Sequence, residues 1–228
     1  MSSSHNESPF NSIPPVVLAL AVVIFGIELA FQAGARGYAG GPEAVGWRLA
    51  AWQSYAFSGD IFDWMLANNQ WPLDQVVRLV TYPFIHANFT HVLFVLVFLL
   101  ALGKMVGEIF SALAVLVVFF GSAIAGALVY ALVLDTPQPL VGGFPAVYGL
   151  IGAFTFLLWV KLALGGGPQA RAFTLIGFLM GIQLVFGLLF GGGKDWVADL
   201  AGFVAGFGLS FLVSPGGLSR VVDRLRQR

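Results

Sequence analysis

Glu28, His86, His91 and Asp199 are the side chains that could do acid–base or metal chemistry inside the apolar stretches of this sequence. A zinc-binding helix pair needs histidines four residues apart with a glutamate, as in HExxH, so the five-residue step from His86 to His91 suits metal hydrolysis poorly. The third histidine, His5, lies in a polar N-terminal stretch. A serine hydrolase needs a serine within hydrogen-bond reach of its base, yet Ser111, Ser122 and Ser210 stand in apolar runs without a motif. Lys104 and Lys161, the candidates for a Ser–Lys pair, fall at the opposite ends of their runs from the histidines. Glu28 and Asp199 could share a proton as a carboxylate dyad, although no spacing ties them together. The absence of Cys excludes disulfides, thiol catalysis, cysteine–zinc sites and iron–sulfur clusters. GLLFGGGKD from Gly187 lacks the Gly-Lys-Ser/Thr ending of a phosphate loop, so no metal, nucleotide or other cofactor is signalled.

The elements that must position these groups are membrane spans. Of 228 residues, 58% are hydrophobic and 10% charged, and the mean hydropathy is +0.89, whereas soluble domains carry about 25% charged residues. The expected fold class is all-α, a polytopic bundle embedded in a lipid bilayer. Six apolar runs are long enough to cross: Pro14–Gln32, Ile85–Lys104, Ile109–Leu134, Pro145–Leu164, Arg171–Phe190 and Trp196–Val213. The first run follows no Lys or Arg and precedes no small-residue cleavage signal, so it reads as a span and not as a removable leader. The expected organisation is a tail over 1–13, a membrane domain over 14–213 with a large first loop over 33–84, and a basic tail over 214–228. Trp47, Trp52, Trp64 and Trp71 suit a first loop that is partly interfacial. Lys104, Lys161, Arg171, Arg220, Arg224, Arg226 and Arg228 fall on one side, against Arg36, Arg48, Arg78 and Lys194 on the other. The positive-inside rule then places both termini in the cytoplasm, in keeping with a bacterial inner membrane. A formal net charge of zero gives no nucleic-acid footprint.

On this topology Glu28, His86, His91 and Asp199 all lie within roughly 10 Å of the same surface, at about 1.5 Å per helical residue. That shared depth predicts a polar cavity open to the outside and closed toward the cytoplasm. The alternative for each carboxylate is snorkelling, or protonation with a hydrogen bond to a backbone carbonyl.

Three segments carry a family resemblance. YPFIHANFTHVLFVLVFLLALG, Tyr82 to Gly103, resembles the second span of rhomboid intramembrane serine proteases; GGFPAVYGLIGAF, Gly142 to Phe154, resembles their fourth; VADLAGFVAGFGLS, from Val197, is similar to their last core span. The resemblance implies a six-transmembrane-helix rhomboid-like bundle. It also implies where catalysis should reside. The family nucleophile, the Ser of a GxSG motif, falls on Phe144, followed by Pro145, and the family base, a His, falls on Asp199, with Ala201 in place of a glycine. Of the oxyanion-supporting pair, His91 is kept and the Asn is Val95; His86, Asn88, Arg78 and Tyr148 also match.

Phe144 cannot attack a carbonyl, Asp199 faces no positioned hydroxyl, and Pro145 removes a backbone donor. The resemblance therefore implies a pseudoprotease that binds transmembrane client proteins and affects their stability, folding or trafficking. Gly149, Gly152, Gly202 and Gly206 could admit a client helix, or could pack the protein's own helices. Asp199 is expected to accept a hydrogen bond from Tyr148 or to pair with His91. Two rival readings are an active intramembrane serine endopeptidase with unconventional residues, and a proton or small-solute conduit through Glu28, His86, His91 and Asp199.

Overall fold

The computed structural model describes residues 12–190 and 193–216. His5, most of the N-terminal tail and the basic tail from 217 onward lie outside the described residues. Ten α-helices follow in chain order: α1 (Pro15–Ala35), α2 (Trp47–Tyr55), α3 (Gly59–Asn68), α4 (Leu73–Val76), α5 (Arg78–Thr81), α6 (Phe89–Gly107), α7 (Ala112–Val133), α8 (Phe144–Leu164), α9 (Thr174–Phe190) and α10 (Trp196–Val213). Their ends follow local chemistry. Pro15 and Pro145 occupy first turns, where no backbone donor is lost. Asn88 and Ser111 cap α6 and α7, their side-chain oxygens accepting from His91 N at 2.9 Å and Ala114 N at 3.2 Å.

Among the described residues five helices, α1, α6, α7, α8 and α10, are long and apolar enough to cross a membrane. The expected fifth span differs. Residues Gln169–Phe173 form a 3-10 turn, so α9 begins at Thr174 and its 17 residues fall just short of that length.

α8 is the central element. Pro145 through Ala153 are buried without interruption, which explains why this helix shows no polar face. It packs against both α7 and α10, which also pack against each other, and small residues set the distance. A Cβ on Gly206 would run into the Gly149 backbone, one on Gly202 into Pro145, and one on Gly152 into Phe203 and Phe207. All four glycines singled out in the sequence thus sit in contacts between α8 and the helices beside it, where dispersion gains from close backbone approach hold helices together in lipid.

The first loop is a helical layer, α2 to α5, against one end of this bundle. An isolated bridge between Phe57 and Leu140 ties it to the α7–α8 connection, with N–H···O bonds of 3.1 and 2.8 Å. Trp64 and Trp71 are half exposed there. Gly206→Ala is expected to destabilise by about 1–3 kcal/mol through overpacking. Gly208→Ala, where a Cβ meets open space, should be neutral or stabilising, gaining up to about 1 kcal/mol. Unfolding midpoints of the two variants in detergent check this contrast.

Candidate functional site

The site is assembled from six helices, α1, α2, α6, α8, α9 and α10. Glu28, on α1, is 1% exposed, and its carboxylate is held by Arg48 of α2: Nη1 donates to Oε2 at 3.0 Å and Nη2 to Oε1 at 2.8 Å. Gln32, one turn along α1, donates to Oε1 at 2.7 Å. Neither snorkelling nor a backbone carbonyl is needed, because a bidentate guanidinium compensates the buried charge. The same Arg48 Nη1 donates to the carbonyl of His86 at 2.7 Å, and the Trp52 indole approaches that oxygen at 3.4 Å. Phe31 lies under the guanidinium, 5.1 Å from it.

His86 stands in the extended segment before α6. Its Nε2 accepts the N–H of Gly143 at 3.2 Å, so Nδ1 carries the proton and faces the Phe84 carbonyl at 3.3 Å. The ring must be neutral to do both. Burial first, and the nearby His91 second, push His86 down to about 3.

From His86 a line of rings crosses the site. His91 meets it edge-on at 5.0 Å, and Phe144 stacks on His91 with centroids 4.9 Å apart and planes 18° from parallel. Tyr148 meets Phe144 at 6.5 Å in an edge contact. His91 Nε2 is buried without a hydrogen-bond partner, facing Gly142. Gly142 has φ +95°, a conformation open to glycine, and any Cβ there would strike the His91 ring. Val95 is fully buried and packs against Gly143. Asn88 acts as the α6 cap, and Arg78 donates to the Ala56 carbonyl at 3.1 Å.

Asp199 departs from expectation. It bonds neither Tyr148 nor His91 directly; Gln183 of α9 stands between, donating to Asp199 Oδ2 at 2.9 Å and accepting from the Tyr148 hydroxyl at 3.1 Å. An amide can do this because it is both donor and acceptor, whereas a carboxylate and a phenol alone leave lone pairs or protons unmatched. The expected open polar cavity is also corrected. Glu28, His86 and Asp199 are each no more than 2% exposed, because Arg48, Gln183 and the Phe144 ring occupy the space between them. Arg48 had entered the reading only as a loop charge, and Gln183 not at all. An amide amid the apolar run of α9 was the available signal.

In chemical terms the site is a chain of contacts that leaves the buried His91 Nε2 without a hydrogen-bond partner. The residue in the nucleophile position is a hydrocarbon ring, the Gly143 N–H is already donated to His86, and Pro145 has none to offer. Among the described residues no group of three or more His, Asp or Glu side chains could hold a metal ion.

Long apolar helices, with the buried Glu28, His86 and Asp199 set near one end of them beneath a helical loop, define an α-helical integral membrane protein. A Rhomboid domain model matches residues 73–216, and the chain belongs to the rhomboid family. It is 32% identical over 142 residues to "Rhomboid-like protease 1" of Toxoplasma gondii, covering 60% of this chain and 47% of that protein. It is 30% identical over 152 residues to "Putative rhomboid protease YdcA" of Bacillus subtilis, covering 64% and 69%. "RHOMBOID-like protein 1" of Arabidopsis thaliana is 31% identical over 143 residues, covering 62% and 36%. The chain thus spans about half the length of the first of these relatives.

Arg48→Met should cost about 3–5 kcal/mol, because it strands a buried carboxylate. Adding Glu28→Gln should recover much of that loss, which denaturant or thermal unfolding in detergent would measure. Because His86 is neutral in the fold and binds a proton in the unfolded chain near pH 6.5, stability should be fully present above about pH 6.5. It should fall progressively toward pH 3, and less steeply in His86→Gln.

Proposed function

We propose that this rhomboid-family protein does not hydrolyse peptide bonds and acts by binding the transmembrane helices of client membrane proteins, altering their stability, folding or trafficking. The observation that carries the first half is the Phe144 ring stacked on His91 at the nucleophile position, 4.9 Å between centroids. A protease of this family would need a hydroxyl there and a base at position 199 to take its proton; Asp199 instead has its carboxylate engaged by Gln183. The printed names of the relatives speak of proteases, and the residues at the two catalytic positions are what separate this chain from such an activity.

The second half rests on what remains once hydrolysis is removed: a membrane bundle with a large apolar surface and a specialised polar end. Its functional unit is the stretch 14–213, with 1–13 and 214–228 as tails. Both termini face the cytoplasm of a bacterial inner membrane, as the distribution of Lys and Arg favours.

Purified protein in proteoliposomes with single-pass transmembrane substrates is expected to yield no cleavage. Phe144→Ser combined with Asp199→His should also fail, since the Gly143 N–H stays committed to His86 and Pro145 still lacks a donor. Site-specific cleavage by the wild type would overturn the reading. In parallel, photocrosslinking from native membranes should recover specific single-pass partners; recovery of lipid adducts alone would overturn the client-binding half.

A further inference from the structure

Arg78 matches the family resemblance in the first loop, yet the site described above makes no use of its charge. It lines a cavity of about 740 Å³ together with Gln53, Ser54, Tyr55, Leu73, Asp74 and Val77. Two features of this cavity are unusual. First, its polar groups are incompletely used. Arg78 spends Nη1 on the Ala56 carbonyl, while its Nε is buried with no hydrogen-bond partner. Asp74, exposed at the cavity, accepts from Gln75 Nε2 at 2.6 Å and leaves its second carboxylate oxygen open. Second, the cavity holds one cation and one anion, Arg78 and Asp74, whose recorded hydrogen bonds go to the Ala56 carbonyl and to Gln75 and not to each other.

The rest of the lining indicates the medium. Leu73 and Val77 are exposed apolar side chains, and α5 and α3 pack against the flank of the membrane-crossing helix α7. The half-exposed Trp64 and Trp71 place the layer at the headgroup level, where an amphipathic ring is most stable. A cavity there, lined by both polar and apolar side chains, meets a ligand of the same mixed character.

We propose that this cavity binds a phosphatidylethanolamine headgroup from the adjoining leaflet, with the phosphate on Arg78, the ammonium on Asp74, and the glycerol and upper acyl chain against Leu73 and Val77. A guanidinium on the cavity wall suits a phosphate oxygen through a charge-assisted hydrogen bond. A primary ammonium carries three N–H donors, enough to reach the Asp74 carboxylate and the side chains of Gln53 or Ser54. Phosphatidylcholine has the same charges without an N–H to donate, and phosphatidylglycerol has the phosphate without the cation. The reading therefore ranks three common lipids without further assumption.

The full-length protein, delipidated in detergent, is to be given equal amounts of the three lipids with matched acyl chains, and bound lipid read by native mass spectrometry. Phosphatidylethanolamine should exceed each of the others by roughly tenfold, the size of one charge-assisted hydrogen bond. Asp74→Asn should lower it to the phosphatidylcholine level, and Arg78→Gln should lower all three together. Should Arg78→Gln fold poorly, Asp74→Asn at its exposed position still decides the matter. Equal retention of all three lipids, phosphatidylglycerol on top, or an ethanolamine preference that survives Asp74→Asn would overturn the proposal. Displacement of the lipid by millimolar phosphoethanolamine would overturn it too, since a soluble headgroup would then be the ligand.

Discussion

The bidentate grip of Arg48 on Glu28 is the interaction from which the polar end of this molecule is organised. A carboxylate on a membrane-crossing helix is tolerable only when its charge is matched and its lone pairs filled. Arg48 does both from the first loop and still has a donor for the His86 carbonyl. That third bond joins α1, α2 and the segment entering α6, so the loop is seated by charge and not by apolar contact alone. His86, held by its own carbonyl, can then offer Nε2 to Gly143 and set the point where α8 begins. Removing the arginine would therefore disturb α8 through two successive hydrogen bonds, although Arg48 and α8 share none directly.

The same demand for internal satisfaction explains the opposite side of the site. In lipid a polar side chain has few partners to choose from, and each tends to be shared. Asp199 and Tyr148 face one another across a gap that neither spans, and Gln183 closes it with one donor and one acceptor. This connection ties α9, the shortest of the long helices, to α8 and α10 by a side chain in its middle. Phe144 fits between the two polar clusters for a related reason. Its ring has no hydrogen-bonding groups to satisfy, and it covers the His91 face by stacking at 4.9 Å.

Helix positions were legible in the sequence because hydrophobic length is a direct consequence of bilayer thickness, and prolines and caps mark the starts. The boundary of α9 was not, since a 3-10 turn over Gln169–Phe173 has no signal in hydropathy. The level shared by Glu28, His86, His91 and Asp199 could be read from residue counts along helices. Their partners could not, because Arg48 lies 20 residues and Gln183 16 residues from the carboxylates they bind, and side-chain pairing at such separations is decided by packing. The inventory of titratable groups also passed over an uncharged amide, although in an apolar helix an amide is as much in need of partners as a carboxylate.

The arrangement bears on how a scaffold of this family can carry Phe and Asp at positions 144 and 199, where the resemblance implies Ser and His, without losing its fold. A catalytic serine and histidine contribute little to packing, whereas the interfaces of α8 with its neighbours rest on glycines at 149, 152, 202 and 206, which stand apart from the reacting positions. Replacing the serine by Phe adds buried apolar surface at the mouth of α8, and proline after it suits the first turn of that helix. The base position is harder to change, because a residue at 199 sits at 2% exposure among helices and an aspartate there needs compensation. Gln183 supplies it. Changes at the nucleophile and base positions thus fall to different physical terms, hydrophobic burial in one case and hydrogen bonding in the other, and neither touches the glycine contacts that hold the bundle together.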